Sequence, residues 1–241
     1  MTRRRWIADR VAGDRAFLSG SNAEHLARVL RARVGQEFEI ATGDAVRLGR
    51  IAAISDNIVE FELGESIAKA EQGSVSLLLA VFKFDRMEWA IEKATELGVA
   101  AIQPVIARRT ETHLASAAAK RVERWRRIAH EAAQQARRDG APEIADPVKL
   151  KVALSPSAQL KIVLAENERG LTLKDILTSS STIDHRPSTV LAVGPEGGWT
   201  DDELRDFSDA GWTSASLGKT ILRAETAAIA ALAITVALIE S

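Results

Sequence analysis

The sequence predicts an α/β protein in two parts, a small β-rich domain over residues 1–70 followed by an α/β domain over residues 74–241. Three observations predict it. The first part holds short runs of alternating or β-branched character, Val75 to Phe82 is one unbroken apolar run, and strand-like and helix-like segments alternate from there on.

In the first part, Glu37 to Ala41, Ala45 to Ile54 and Asn57 to Leu63 read as strands separated by Gly-Asp and Ser-Asp turn signals, which suggests a small barrel or sandwich. One helix is predicted over Ser21 to Arg33. Asn22 is its candidate cap, Leu26, Val29 and Leu30 share a face, and Arg28 and Arg31 point outward. The polar stretch Ser66 to Gly73 then marks the domain boundary.

The run Val75 to Phe82 has the composition of a strand buried on both faces of a parallel sheet. Asp85, with Glu88 three residues on, predicts a capped helix whose stripe is Met87, Ala90, Ile91, Ala94 and Leu97, stopped by Gly98. Ala101 to Ala107 is the next strand. Lys120 to Arg138 reads as a basic helix that buries Val122, Trp125, Ile128 and Ala132 and turns Arg121, Arg124, Arg127 and Arg138 to solvent. Leu160 to Ala165 and Thr189 to Val193 continue the strand series.

Composition narrows the chemistry. With 46 % hydrophobic and 27 % charged residues in 241, the chain can bury a sizeable core. It has no cysteine, which removes disulfides, thiolate metal sites and cysteine nucleophiles. His25, His113, His130 and His185 form no ligand-spaced pair, so no metal is expected. The N-terminus carries no signal-peptide pattern, and a cytoplasmic address is expected. Thr226 to Ile239 is uncharged over 14 residues, short of the roughly 20 that cross a bilayer. It reads as a buried helix, with no membrane partner. The net charge of −1 hides local excesses: residues 1–35 hold eight arginines against three acids, and residues 86–138 hold eleven basic against six acidic side chains. Such excesses suit phosphate contacts.

Two segments carry the chemistry. Gly194-Pro-Glu-Gly-Gly-Trp-Thr leaves a strand and enters a helix capped by Thr200 with Glu203 three residues later. Glycines at a strand's carboxyl end let backbone amides approach a ligand, although a tight turn alone accounts for Gly197-Gly198 equally well. Ser216-Leu-Gly-Lys-Thr-Ile-Leu-Arg-Ala-Glu-Thr-Ala is a strand end, a glycine turn and an Arg-x-Glu-Thr cluster that opens the apolar helix. Packing explains Arg223 and Glu225 poorly there. Neither segment is a dinucleotide or triphosphate loop, which disfavours a dehydrogenase or a nucleotide triphosphatase.

Together with Asp85-Arg-Met-Glu-Trp-Ala-Ile-Glu-Lys-Ala-Thr-Glu-Leu-Gly and His25-Leu-Ala-Arg-Val-Leu-Arg, these segments resemble, in order and across nearly the whole chain, the motifs of the RsmE family of 16S rRNA uridine N3-methyltransferases. The resemblance implies an N-terminal PUA-like β-barrel that helps hold RNA and a SPOUT α/β domain with a C-terminal trefoil knot. It also implies a homodimer and S-adenosylmethionine as cofactor. Ordinary topology rules reject a knot, so the resemblance alone supplies it. Two departures stand out: Ala136-Arg137-Arg138 where relatives usually carry Ser-Gly-Arg, and Arg223-Ala224-Glu225-Thr226 where they carry Arg-Thr-Glu-Thr.

Carried over, the resemblance places the cofactor against Leu164, Ala165 and Glu166, then Val193, Gly194, Pro195, Glu196, Gly197 and Gly198. The last group is Leu217, Gly218, Ile221, Leu222, Arg223 and Thr226. Arg223 is the expected stabiliser of the uridine anion, with Glu225 orienting it or helping to remove the N3 proton. The expected RNA contacts are Arg3, Arg4, Arg5, His25, Arg28, Arg31, Arg86, Lys93, Arg108 and Arg138, and the expected partner is 16S rRNA in the small ribosomal subunit. The missing cysteines favour nitrogen or oxygen methylation over pyrimidine C5 chemistry, which commonly needs a thiolate adduct. A non-catalytic RNA-binding protein, or a relative acting on transfer RNA or a ribose hydroxyl, are the rival readings.

Overall fold

The computed structural model describes residues 5–55, 57–69, 74–180 and 187–239, so Arg3, Arg4 and His185 lie outside the described residues. The chain divides into two compact units, Met1–Gln72 with Ala133–Ala141, and Gly73–Ala132 with Pro142–Ser241.

The first unit is built from β1 (Arg5–Ile7), β2 (Arg10–Ala12), β3 (Arg15–Ser19), α1 (Gly20–Glu24) with a π-helical turn at His25–Val29, β4 (Glu37–Ala41), β5 (Ala45–Ile54) and β6 (Ile58–Lys69). The strands form one sheet in the order β1-β4-β5-β6-β3-β2, antiparallel except for β1 beside β4. Register shifts between Val46 and Arg47, Arg47 and Gly49, and Ile51 and Ala53 interrupt the β5·β6 ladder. Such irregularities bend a strand and raise its twist, and the bent sheet covers Trp6, Leu18, Leu26, Ile40, Ile51 and Phe61. Ala133 closes this unit against Ile7, Ala41 and Val46, and the Arg5 guanidinium holds both Glu39 and Asp139.

Two expectations need correction here. The helix starts at Gly20 after an extended Ser19, and Asn22 does not cap it. The wider π turn then shifts the helical phase, so Ala23 and Leu26 are buried while Val29 and Leu30 face solvent, and the helix ends before Arg31, whose φ is +51°. The polar stretch expected to begin a linker at Ser66 continues β6, because Ser66, Ala68 and Lys69 pair with Arg47, Val46 and Ala45.

The second unit contains β7 (Val75–Ala80), α2 (Phe84–Glu96), β8 (Ala101–Ile106), and α3 (Thr112–Ala117) passing through a 3₁₀ turn into α4 (Val122–Gln135), whose residues from Ala133 on belong to the first unit. It continues with β9 (Glu143–Ile144), β10 (Val148–Lys149), α5 (Leu150–Ala153), β11 (Leu160–Leu164), α6 (Leu173–Ser180), β12 (Thr189–Val193), α7 (Asp201–Asp209), β13 (Thr213–Ala215) and α8 (Ala224–Ile239). The parallel sheet runs β10-β8-β7-β12-β11-β13, with β9 also on β8.

Both faces of this sheet are buried, as the apolar run of β7 requires. Val75, Leu77, Leu79, Ile162, Leu164, Leu191 and Val193 point to one side, where α2, α4, α6 and α8 supply Met87, Ile91, Trp125, Leu177 and Leu232. Leu78, Ala80, Val163 and Ala192 point to the other, where Trp199, Phe207 and Trp212 stack edge to face at 4.9 and 5.0 Å.

Helix α2 carries Met87, Ala90, Ile91 and Ala94 on its buried face and is followed by Gly98 at φ +95°. Its start differs from expectation. Lys83 is the cap residue without a side-chain bond, and Asp85 sits in the first turn, where its charge favours the helix dipole. Helix α4 is shorter than expected because the backbone turns left-handed at Arg137, φ +57°. Among the described residues no helix is long and apolar enough to cross a membrane.

Gly49 lies under the core of the first unit, and a Cβ there would collide with Cγ1 of the fully buried Ile40. Gly49→Ala is therefore expected to destabilise the protein by about 1–3 kcal/mol in chemical denaturation, the usual penalty of overpacking.

Candidate active site

Three loops leave the carboxyl ends of β11, β12 and β13 and meet in a cleft of about 470 Å³. That volume is typical of a small-molecule site, and strand carboxyl ends are where α/β sheets bind ligands. The loops come together because β11 pairs with both neighbours: Val163 lies opposite Ala192 and Ser214, and Leu164 lies opposite Ala215. The amide of Ala165 donates to the carbonyl of Ala215 at 3.0 Å, tying the first loop to the third.

The second loop is held from its far side. Thr200 and Glu203 form the expected capping box at the start of α7, and Glu203 also accepts the Arg108 amide at 2.7 Å. Arg109 donates to the carbonyls of Gly197 at 2.6 Å and Trp199 at 3.3 Å. The intervening turn closes by Gly198 N donating to Pro195 O at 2.8 Å. Gly198 has φ +66°, and a Cβ there would stand 3.3 Å from Glu166 Oε1. A Cβ on Gly194 would stand 3.3 Å from Nε1 of Trp199. Glycine is therefore used where the walls are narrowest. The indole Nε1 of Trp199, a cleft residue only 7 % exposed, has no hydrogen-bond partner among the described residues. An unmatched buried donor at a cleft is an available contact for a polar ligand atom.

The cleft gathers Leu164, Ala165, Glu166, Val193, Gly194, Pro195, Glu196, Gly198, Leu217, Gly218, Ile221, Leu222 and Arg223. Gly197 and Thr226 are not on its wall: Gly197 gives its carbonyl to Arg109, and Thr226 is exposed on α8. Arg223 is exposed on the cleft and has no ion-pair partner among the described residues. Glu225, 6 % exposed, is likewise off the cleft wall and does not pair with Arg223, so it does not orient that side chain. Its Oε1 lies 3.8 Å from Nε of Arg86, and its Oε2 is buried without a hydrogen-bond partner among the described residues.

The expected RNA contacts sort differently. Arg86 lines the cleft. Lys93 is held by Glu92 at 2.8 Å and Glu96 at 2.7 Å, and those hydrogen bonds raise its pKa, Glu92 first. Arg108 pairs with Asp202 at 2.9 Å, Arg28 with Glu24 at 2.8 Å, and Arg5 with two acids. His25 lies against Trp6, Arg31 is exposed and Arg138 is half-buried. The cleft also holds Arg109, Asn167 and Arg169, which lie outside the motifs, and Lys219, which lies within one but was not expected at the site. The Arg108-Arg109 doublet was the available signal, and the second member is the one that reaches the cleft. No group of three or more His, Cys, Asp or Glu among the described residues could hold a metal ion.

Residues 69–236 match the family described as RNA methyltransferase domain, and residues 18–64 the RNA methyltransferase PUA domain. A ribosomal RNA small subunit methyltransferase E of Synechocystis is 34 % identical over 93 % of this chain and 73 % of its own length. Its counterpart in Rickettsia conorii is 33 % identical over 89 % and 86 %.

The chain belongs to the ribosomal RNA small subunit methyltransferase E family.

Among solved structures, the family member of Neisseria gonorrhoeae, bound to S-adenosyl methionine, superposes with TM-score 0.78 at 29 % identity over 98 % of both chains. A putative methyltransferase of Legionella pneumophila in complex with the same cofactor gives 0.80 at 28 %, again over 98 % of both. The fold is thus that of an α/β RNA methyltransferase domain accompanied by a PUA domain.

Glu203 accepts backbone donors on both oxygens, so Glu203→Gln must turn an amide NH₂ toward an N–H. The variant is expected to lose about 1–3 kcal/mol, read as a fall in thermal midpoint, the cost of one buried unmatched donor.

Proposed function

We propose that this chain transfers the methyl group of S-adenosylmethionine to N3 of a uridine in 16S rRNA of the small ribosomal subunit. The observation that carries the reading is the glycine-walled cleft at three strand ends with Arg223 on it, in a chain of this family. The residues present fit the cofactor. Gly194 and Gly198 leave room for a ligand to reach the backbone, Trp199 Nε1 is an unmatched donor, and Glu166 offers a carboxylate. Leu164 to Glu166, Val193 to Gly198 and Leu217 to Leu222 would hold adenosine and methionine. Bound there, S-adenosylmethionine supplies a methyl group on a sulfonium sulfur, open to in-line displacement with a neutral thioether leaving.

The chain's own residues must position the base, take its N3 proton and stabilise the charge that results. The Arg223 guanidinium, on the cleft wall and without an acid partner among the described residues, would face the carbonyl oxygens that share the anion. Glu225, expected to orient Arg223 or to help take the proton, lies off the cleft wall with Oε2 buried, so its part would be to hold the Arg86 guanidinium, which does line the cleft, 3.8 Å from its Oε1. Ile221, 76 % exposed and apolar, would cover the acceptor base and exclude water.

The remaining parts of the reading are those that the motif resemblance implies. Residues 1–70 act as a PUA-like RNA-holding domain and residues 74–241 as a SPOUT domain whose last segment forms a trefoil knot. Two copies associate, and the enzyme works in the cytoplasm. Helix α8 supports association, because it is apolar on every side yet leaves Leu238 41 % exposed.

Incubating the protein with labelled cofactor and small subunits that lack the modification should yield 3-methyluridine on nucleoside mass spectrometry. Arg223→Ala should lower turnover about 10²–10³-fold, the usual loss of a transition-state charge partner, while cofactor affinity holds. A different methylated nucleoside would redirect the assignment, and absence of cofactor binding would sink the enzyme reading. Gly198→Ala, strained at φ +66°, should weaken cofactor binding in calorimetry by about tenfold, equivalent to about 1.4 kcal/mol.

A further inference from the structure

Among the described residues, the non-glycine positions with left-handed φ are Arg31, at +51°, and Arg137, at +57°. Both follow the end of a helix. Arg31 succeeds the π turn, with Ala32 N donating back to Leu26 O at 3.1 Å. Arg137 succeeds α4, with Arg138 N donating to Ala133 O at 2.9 Å. Glycine is the usual residue at such a position, because a Cβ disfavours this backbone conformation. Arginine there works against the fold.

Neither guanidinium repays that strain inside the protein. Both residues are exposed, and neither has an ion-pair partner among the described residues. Arg5, Arg15, Arg28, Arg47 and Arg50 of the same unit are all engaged by acids. Complementing a helix dipole does not need the left-handed site, since Arg28 sits in the last turn of its helix at ordinary φ. The turn bearing Arg137 is also anchored, by Arg5 on its carbonyl at 3.5 Å and on Asp139. A charge presented from a fixed, strained backbone with no internal partner fits an external anion.

We propose that Arg31 and Arg137 are contacts to the phosphodiester backbone of the rRNA, retained at the expense of stability. The inference rests on the rRNA methyltransferase reading and adds Arg137 beside Arg31.

The test compares Arg31→Gly, Arg137→Gly and the two lysine variants in thermal unfolding, and in binding of unmodified small subunits at several salt concentrations. Each glycine variant should raise the thermal midpoint by about 1–3 °C. Each should also weaken binding roughly three- to fivefold and reduce the slope of log K against log salt by about one. The lysine variants should recover most of the binding without the thermal gain. A raised midpoint with unchanged affinity and slope, or a lowered midpoint, overturns the inference. Failure of the unsubstituted protein to bind small subunits overturns the rRNA reading itself, and this inference with it.

Discussion

The pairing of β11 with both β12 and β13 is the constraint on which the candidate site depends. It sets Leu164, Val193 and Ala215 side by side at the carboxyl ends of their strands, although they are far apart along the chain. Each strand then releases a loop at the same level, and the three loops become the walls of one cleft. The pairing is stabilised by burial on both faces, because alternate residues of β7, β11 and β12 enter two separate apolar clusters.

Within that frame, polar bonds decide the shape of the glycine loop. Glu203 serves the α7 cap and the Arg108 amide at once, and Arg109 grips the carbonyls of Gly197 and Trp199. These contacts occupy the Gly197 carbonyl, while the Trp199 indole N–H stays without a hydrogen-bond partner among the described residues. The loop is therefore held in place by residues following β8, and the cleft-facing backbone needs no side chain of its own.

The arginines show why charge clustering locates a function only coarsely. Arg5, Arg28, Lys93 and Arg108 look alike in sequence, and acids brought near by folding or by helical spacing engage all four. Arg86 looks like another surface cation, yet it meets the buried carboxylate of Glu225 on α8. The stripe of α2 was readable because its period is regular, whereas the π turn at His25–Val29 and the left-handed turn at Arg137 break the periodicity on which such a reading depends.

Composition and pattern alone determined the existence of a β-rich part and a parallel α/β part, the two-faced burial of β7 and the capping box at Thr200 and Glu203, and the resemblance of four motifs pointed to the family. Each of these is written in local periodicity or in a contiguous motif, so no distant residue is needed to read it. The tertiary structure decided which residues share the cleft, that Glu225 faces Arg86 rather than Arg223, and which arginines stay unpaired. Those outcomes depend on strand order and on where one helix meets another, and contacts between residues far apart in the chain leave no trace in local pattern.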